Sequence, residues 1–302
     1  MMRIAVTLIL TILNTKVSCS YQDLSSSSAI RNVAIVGGTH GNEYTGIWCI
    51  KCIDKKGPEY HKTKWPSLSV STLLANPKAF SANKRFIDHD LNREFTHEKL
   101  TSGNLIATVE SLRAREVHDI LGPRFVKPKG NDDDDATTIP KTDLVIDLHS
   151  TTSNMGVTLI VPENDSLMIR AAAYVLGKCE KRGDVRILLD PYPDLSWCGK
   201  HGFTIEVGPV PQGVLRHDMV EKTQWALDKV LDFSERWNSD QDNLIKEMRV
   251  MYPDGRVPSF RMVAKLAWPC DPENPNFPAA LVHASVQDRD FQKVRKGDPL
   301  FV

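Results

Sequence analysis

The chain has 302 residues, 41% of them hydrophobic and 25% charged, a composition ordinary for a soluble globular protein and long enough for one large α/β domain or one domain plus a small appendage. Its 38 basic and 38 acidic side chains give a formal net charge of +0, which excludes the basic excess expected of a nucleic-acid or membrane-surface partner.

At the N-terminus Arg3 precedes an apolar stretch from Ile4 to Leu13, diluted by Thr7 and Thr11, with Val17-Ser18-Cys19 behind it. This resembles a secretory signal peptide cleaved after Cys19 and is too short for a transmembrane helix. With the Ser-rich residues 20–30 it predicts a signal-like or disordered leader over 1–30, the fold proper beginning near Arg31. Strand-like apolar runs follow at about 33–36, 69–75, 143–148, 156–161, 185–189 and 203–207. Helical patterns lie between them: about Glu43 to Asp54, Thr108 to Leu121 (with Val109, Leu112, Val117, Ile120 and Leu121 as its apolar positions), Asp165 to Lys181, and His217 to Trp237. Alternating strands and helices predict an α/β fold with a mainly parallel or mixed sheet over residues 31–238. The acidic run Asp132-Asp133-Asp134-Asp135 has no EF-hand pattern and reads as a solvated loop insert. After Asn238 prolines become frequent and short runs at about 247–252, 260–267 and 280–284 read as strands, so residues 239–302 are expected to form a small β-rich C-terminal domain. Among the six cysteines, Cys49 and Cys52 lack a second pair at zinc-finger spacing and read as small, partly buried helix residues.

The string Gly37-Gly38-Thr39-His40-Gly41-Asn42-Glu43 places an imidazole and a carboxylate three residues apart at the end of a strand. Both can reach one cation, and a third ligand would complete a catalytic zinc site with one position open for water. His149 ends the apolar run Leu144 to Leu148 and supplies that ligand if the two strands share a sheet, since their C-terminal ends then converge on one crevice. Glu206 lies inside the apolar run Phe203 to Val207, where a carboxylate is costly unless paired or used. Beside a zinc-bound water it is a candidate general base; the competing reading is a strand-edge glutamate facing solvent. Arg85 and the string Asp90-Leu91-Asn92-Arg93 offer a carbonyl-polarising guanidinium and a pair, Asn92 and Arg93, suited to gripping a substrate carboxylate. Asp147 shares a strand face with His149 and can orient it from behind, as Asp90 can for its neighbours, or pair with Arg93. Asn76, after the strand at 69–75, is either a turn residue or a substrate contact.

The strings GGTHGNEYTG, DHDLNREF, DLHSTTSNMG and IEVGPVPQGVLR, in that order, resemble the aspartoacylase and aminoacylase-3 family within the zinc carboxypeptidase-like hydrolases, over about Arg31 to Phe301. The resemblance implies a zinc-dependent deacylase of N-acyl amino acids. It implies one Zn2+ per chain on His40, Glu43 and His149, and Glu206 as general base and acid. Arg85 becomes the carbonyl polariser, Asn92 and Arg93 the binders of the amino acid carboxylate. It further implies a carboxypeptidase-like mixed sheet flanked by helices, a β-rich C-terminal domain, a homo-oligomer and a cytosolic location, against which the N-terminus sets a secretory alternative. Two features depart from the family. Ser196 stands where aspartoacylases carry an arginine ten residues before the catalytic glutamate, favouring the aminoacylase-3 side. Family members also continue past the GDPLF string near the end of this chain, so the C-terminal domain is expected to be truncated. A zinc carboxypeptidase and a catalytically silent zinc-binding homologue are the alternatives.

Overall fold

The structure, a computed structural model, describes residues 9–19, 28–102, 106–124, 140–181, 183–192, 194–274 and 277–302. In chain order it forms β1 (Ile9–Ser18), β2 (Asn32–Gly37), α1 (Tyr44–Lys56), α2 (Pro58–Lys64), β3 (Ser69–Leu74), α3 (Pro77–Ser81), α4 (His97–Thr101), α5 (Val109–Leu121), β4 (Leu144–Ser150), β5 (Gly156–Pro162), α6 (Ser166–Gly177), β6 (Val185–Asp190), β7 (His201–Gly208), α7 (His217–Ser239), α8 (Gln241–Met251) and β8 (Arg256–Leu266). The strands make one eight-stranded mixed sheet in the order β1-β8-β6-β5-β7-β4-β2-β3. β1 and β8, and β5 and β7, run antiparallel; the other neighbours run parallel.

Strand periodicity decides what lies on each face of this sheet. In β4, Leu144, Ile146 and Leu148 enter one core layer, with Ile35 of β2, Phe203 and Ile205 of β7, and the buried sides of α1, α6 and α7. Val145 enters the opposite layer, with Leu91, Phe95 and α5 residues Ala114, Val117 and Leu121. Asp147, His149 and Glu206 have the parity of that second face. Helix α1 lies close on β4: a Cβ added at Gly46 would meet the Leu148 carbonyl oxygen at 2.5 Å, so only glycine permits the approach.

Three sequence expectations change. Part of the expected leader, Ile9–Ser18, pairs with β8 as the edge strand of the sheet. The run at 247–252 falls mostly in helix α8, because Leu244, Ile245 and Met248 recur at helical spacing and are all buried. The expected C-terminal strand at 260–267 is β8, a member of the main sheet, while the one at 280–284 reduces to a single bridge, Val282 to Phe301. The Asp132–Asp135 run lies outside the described residues. Cys49 is buried on α1 and Cys52 half-buried, both as free thiols. Among the described residues no helix is long and apolar enough to cross a membrane.

Asp143 ties the starts of three strands together. It accepts the backbone N–H of Arg31 and Asn32 at 2.9 and 2.8 Å, and the Lys200 ammonium at 2.5 Å. Burial alone would raise this carboxyl, but the Asn32 N–H and Lys200 hold it below the ordinary aspartate value. Its contribution to stability is therefore complete above the unfolded pKa of about 3.9 and fades as pH falls through the lower folded value. Asp143→Asn, which loses the Lys200 pairing, is expected to cost about 1–2 kcal/mol at pH 7. Thermal melts from pH 7 to pH 3 should show wild type and variant converging in acid; a gap independent of pH would refute the assignment.

Candidate active site

The C-terminal ends of β2, β4 and β7 meet at one edge of the sheet. The parallel register sets His149 directly against Glu206, and Asp147 against Thr204. Neighbouring strands are about 4.8 Å apart, so side chains paired this way on one face are neighbours. On the other side of β4, the loop after β2 turns at Gly38 (φ 74°) and carries His40 and Glu43 over the end of β4. Gly41 seats that loop on α3: a Cβ there would lie 2.2 Å from the backbone of Ala79 and Phe80.

His40, Glu43 and His149 are all buried, and one donor atom from each lies within 4.8 Å of the others. Nδ1 of His40 is 2.7 Å from Glu43 Oε1, and Nδ1 of His149 is 3.1 Å from Glu43 Oε2. The outward nitrogens meet carboxylates: His40 Nε2 lies 3.0 Å from Asp90 Oδ1, and His149 Nε2 2.7 Å from Asp147 Oδ2. Asp147, fully buried, also accepts the Thr39 hydroxyl at 2.9 and 3.0 Å, so it serves His149 rather than Arg93. Both imidazoles thus turn Nδ1 towards Glu43 while a carboxylate fixes the other nitrogen, the arrangement that orients metal-binding histidines. His40 Nδ1 is buried without a properly aligned hydrogen bond despite its closeness to Glu43. An orphaned nitrogen beside a carboxylate and a second imidazole suits a divalent cation of borderline softness.

The charges follow from this packing. Burial would raise the Glu43 carboxyl, yet the charge of His40 and the bond from His149 drive it well below the ordinary value. Burial would lower His149, but the Asp147 charge and hydrogen bond drive it well above. Arg85 adds a guanidinium, donating to Glu43 Oε1 at 3.0 Å and to Asp90 Oδ2 at 3.4 Å. Glu206 differs from these groups. Among the described residues its carboxylate has no hydrogen-bond or ion-pair partner, and burial followed by repulsion from Glu43 raises it, against the pull of His149, His40 and Arg85.

At the rim a 3-10 turn, Leu91–Arg93, is capped by Asp90, which accepts the Asn92 N–H. Arg93 is exposed, and against the effect of burial its positive charge adds to that of His40 and Arg85 in holding the Asp90 carboxyl low. Asn92 spends its carbonyl oxygen on the Leu195 N–H at 3.1 Å. Asn76 does not reach this rim: it is 1% exposed, its oxygen caps α3 at the Ala79 N–H and its amide donates to Glu110, so its position is structural. Ser196 is buried and donates through both its hydroxyl and its N–H to Asp194. The Asp194 carboxyl, pushed up to about 6 by burial and by Asp147, adds negative charge behind the cluster. Thr39, Glu110 and Asp194 escaped the sequence reading. Only Thr39 carried a signal, lying inside the glycine-rich string with His40 and Glu43.

The catalytic domain described as "Succinylglutamate desuccinylase/Aspartoacylase catalytic domain" is matched over residues 29–234. The chain is 36% identical over 281 residues to "N-acyl-aromatic-L-amino acid amidohydrolase (carboxylate-forming) A" of Danio rerio, covering 91% of this chain and 78% of that protein. It is 33% identical to the aspartoacylase of Rattus norvegicus over 281 residues, 90% of this chain and 81% of the relative. The crystal structure of murine aminoacylase 3 superimposes with a TM-score of 0.73 at 30% identity, covering 91% of this chain and 84% of that one.

Proposed function

We propose, on the premise that this chain belongs to the succinylglutamate desuccinylase/aspartoacylase family, that it is a zinc-dependent hydrolase that cleaves the amide of N-acyl amino acids to a carboxylate and a free amino acid. The observation that carries the reading is Glu206, an unpartnered carboxylate set by strand register against His149 of a buried His–Glu–His cluster. His40, Glu43 and His149 would hold the zinc, one ion per chain; bound there, zinc acidifies a water and polarises a carbonyl. Glu206, without a hydrogen-bond or ion-pair partner among the described residues, takes the water's proton and then passes it to the leaving amine nitrogen. Arg85, which donates to Glu43 and Asp90, would oppose negative charge on the acyl oxygen. Arg93, with the free amide nitrogen of Asn92, grips the carboxylate of the amino acid.

The side-chain preference follows from Ser196 and Asp194. Their hydroxyl–carboxylate pair places negative charge near His149 and Asp147, which disfavours an acidic substrate side chain. N-acetylated neutral or aromatic amino acids are therefore expected to be better substrates than N-acetylaspartate. A panel of N-acetyl amino acids, their carboxamides and short peptides tests the reading by release of free amino acid. Acids should exceed their carboxamides about 10–100-fold in kcat/KM, the worth of a charged hydrogen-bonded pair. Equal turnover of acid and carboxamide would remove the role of Arg93. Turnover of peptides alone would make the chain a carboxypeptidase.

A further inference from the structure

Helix α5 lies behind the cluster, and its first turn carries a carboxylate that contacts none of the proposed catalytic groups. Glu110 is 0% exposed. Its Oε1 accepts the Ile87 N–H at 2.8 Å and the Asn76 side-chain amide at 3.1 Å; its Oε2 accepts the Asp88 and His89 N–H at 2.9 and 3.1 Å. Three consecutive backbone donors of an irregular loop converge on one side chain. The loop answers in kind, since Asp88 Oδ2 accepts the Val109 N–H at the start of α5, at 2.8 Å. One turn along, Arg113 anchors the helix to the end of β3 through the carbonyls of Ala75 and Leu74, at 2.6 and 3.0 Å.

The clasped residues 87–89 sit between Arg85 and Asp90. The Arg85 carbonyl accepts the Gly41 N–H at 3.1 Å, and Asp90 holds His40. We infer that Glu110 is a positioning residue, which fixes the loop 85–93 so that Arg85, Asn92 and Arg93 stand in register with the His–Glu–His cluster; this rests on the function proposed above. A carboxylate suits the task because neutral carbonyls of regular structure cannot converge on three successive N–H groups, and a charged acceptor makes the stronger bonds. The position in the first turn of a helix further favours the anion. Burial would push the carboxyl up, but the donors hold it below the ordinary glutamate range, so it is ionised at neutral pH.

Glu110→Gln tests this. Glutamine keeps the shape but turns an N–H against at least one donor. A loop out of register should raise KM for the preferred N-acetyl amino acid about tenfold and lower kcat. The preference for acid over carboxamide should collapse by a similar factor, because it depends on where Arg93 stands. A carboxylate that only stabilised the fold would lower Tm and leave that preference intact, and this result would overturn the inference. Asp88→Ala, at an exposed position on the same clasp, should move the preference in the same direction by about threefold, and serves if Glu110→Gln does not fold. Hydrogen exchange separates this inference from the proposed function. If wild type hydrolyses no N-acyl amino acid, the function fails, while selective loss of protection at 87–89 in the variant still supports the clasp. Unchanged protection there would overturn it.

Discussion

Glu206→Gln is expected to lower kcat about 10²–10⁴-fold, the usual contribution of a general base, while leaving cation binding and the fold in place. The expectation follows from two observations. Glu206 makes no hydrogen bond or ion pair among the described residues, so replacing it breaks none, in contrast to Glu43, whose loss would strand two imidazoles and Arg85. It also stands opposite His149 in the strand register, within one strand spacing of the cluster. Glutamine has nearly the same volume and cannot take a proton at neutral pH. Steady-state kinetics on the best N-acetyl amino acid, with zinc content measured on the same samples, separates the two effects. An unchanged kcat in a zinc-replete variant would show that the proton is carried by another group. A fall in kcat matched by a fall in zinc content would make Glu206 part of the cation site instead.

The three residues of the cluster were legible in the sequence because each occupies a position that local rules already mark. His40 and Glu43 follow a buried strand through a glycine turn, and His149 ends another buried strand. Glu206 stood out as a carboxylate within an apolar run. The groups that hold this cluster in place left weaker traces, since their partners are distant in sequence. Glu110 bonds to residues 21–23 positions before it. The helix pattern misled as well. Leu112 and Ile120, read as apolar face positions of α5, are 49% and 51% exposed, while Glu110, Ser111 and His118 are buried. An apolar stripe predicts a buried face only where the opposing surface is apolar, and here that surface is a loop with amides to satisfy. The edge strand Ile9–Ser18 left no trace of its own either: ten residues of mixed apolar and Thr/Asn composition suit an edge strand as well as a signal segment, and its antiparallel partner β8 lies far along the chain.

The largest effect on the cation site is expected from His149→Ala. Wild-type protein stripped with a chelator and titrated with zinc should gain thermal stability, by about 2.7 kcal/mol at a hundred times the dissociation constant. His149→Ala should show no such gain in the same range and no turnover. The variant is also expected to be less stable before zinc is added, because Asp147 and Glu43, at 0% and 3% exposure, lose the imidazole between them. For that reason the quantity to compare is the zinc-dependent difference in Tm, not Tm itself. Asp147→Asn offers an intermediate case. It keeps the imidazole but weakens the bond that fixes its outward nitrogen, and should cost about 10–100-fold in zinc affinity. The order wild type, Asp147→Asn, His149→Ala in zinc response is what three ligands backed by a buried carboxylate require. Full zinc stabilisation of His149→Ala would place the cation elsewhere, and equal responses of wild type and Asp147→Asn would reduce Asp147 to a packing role.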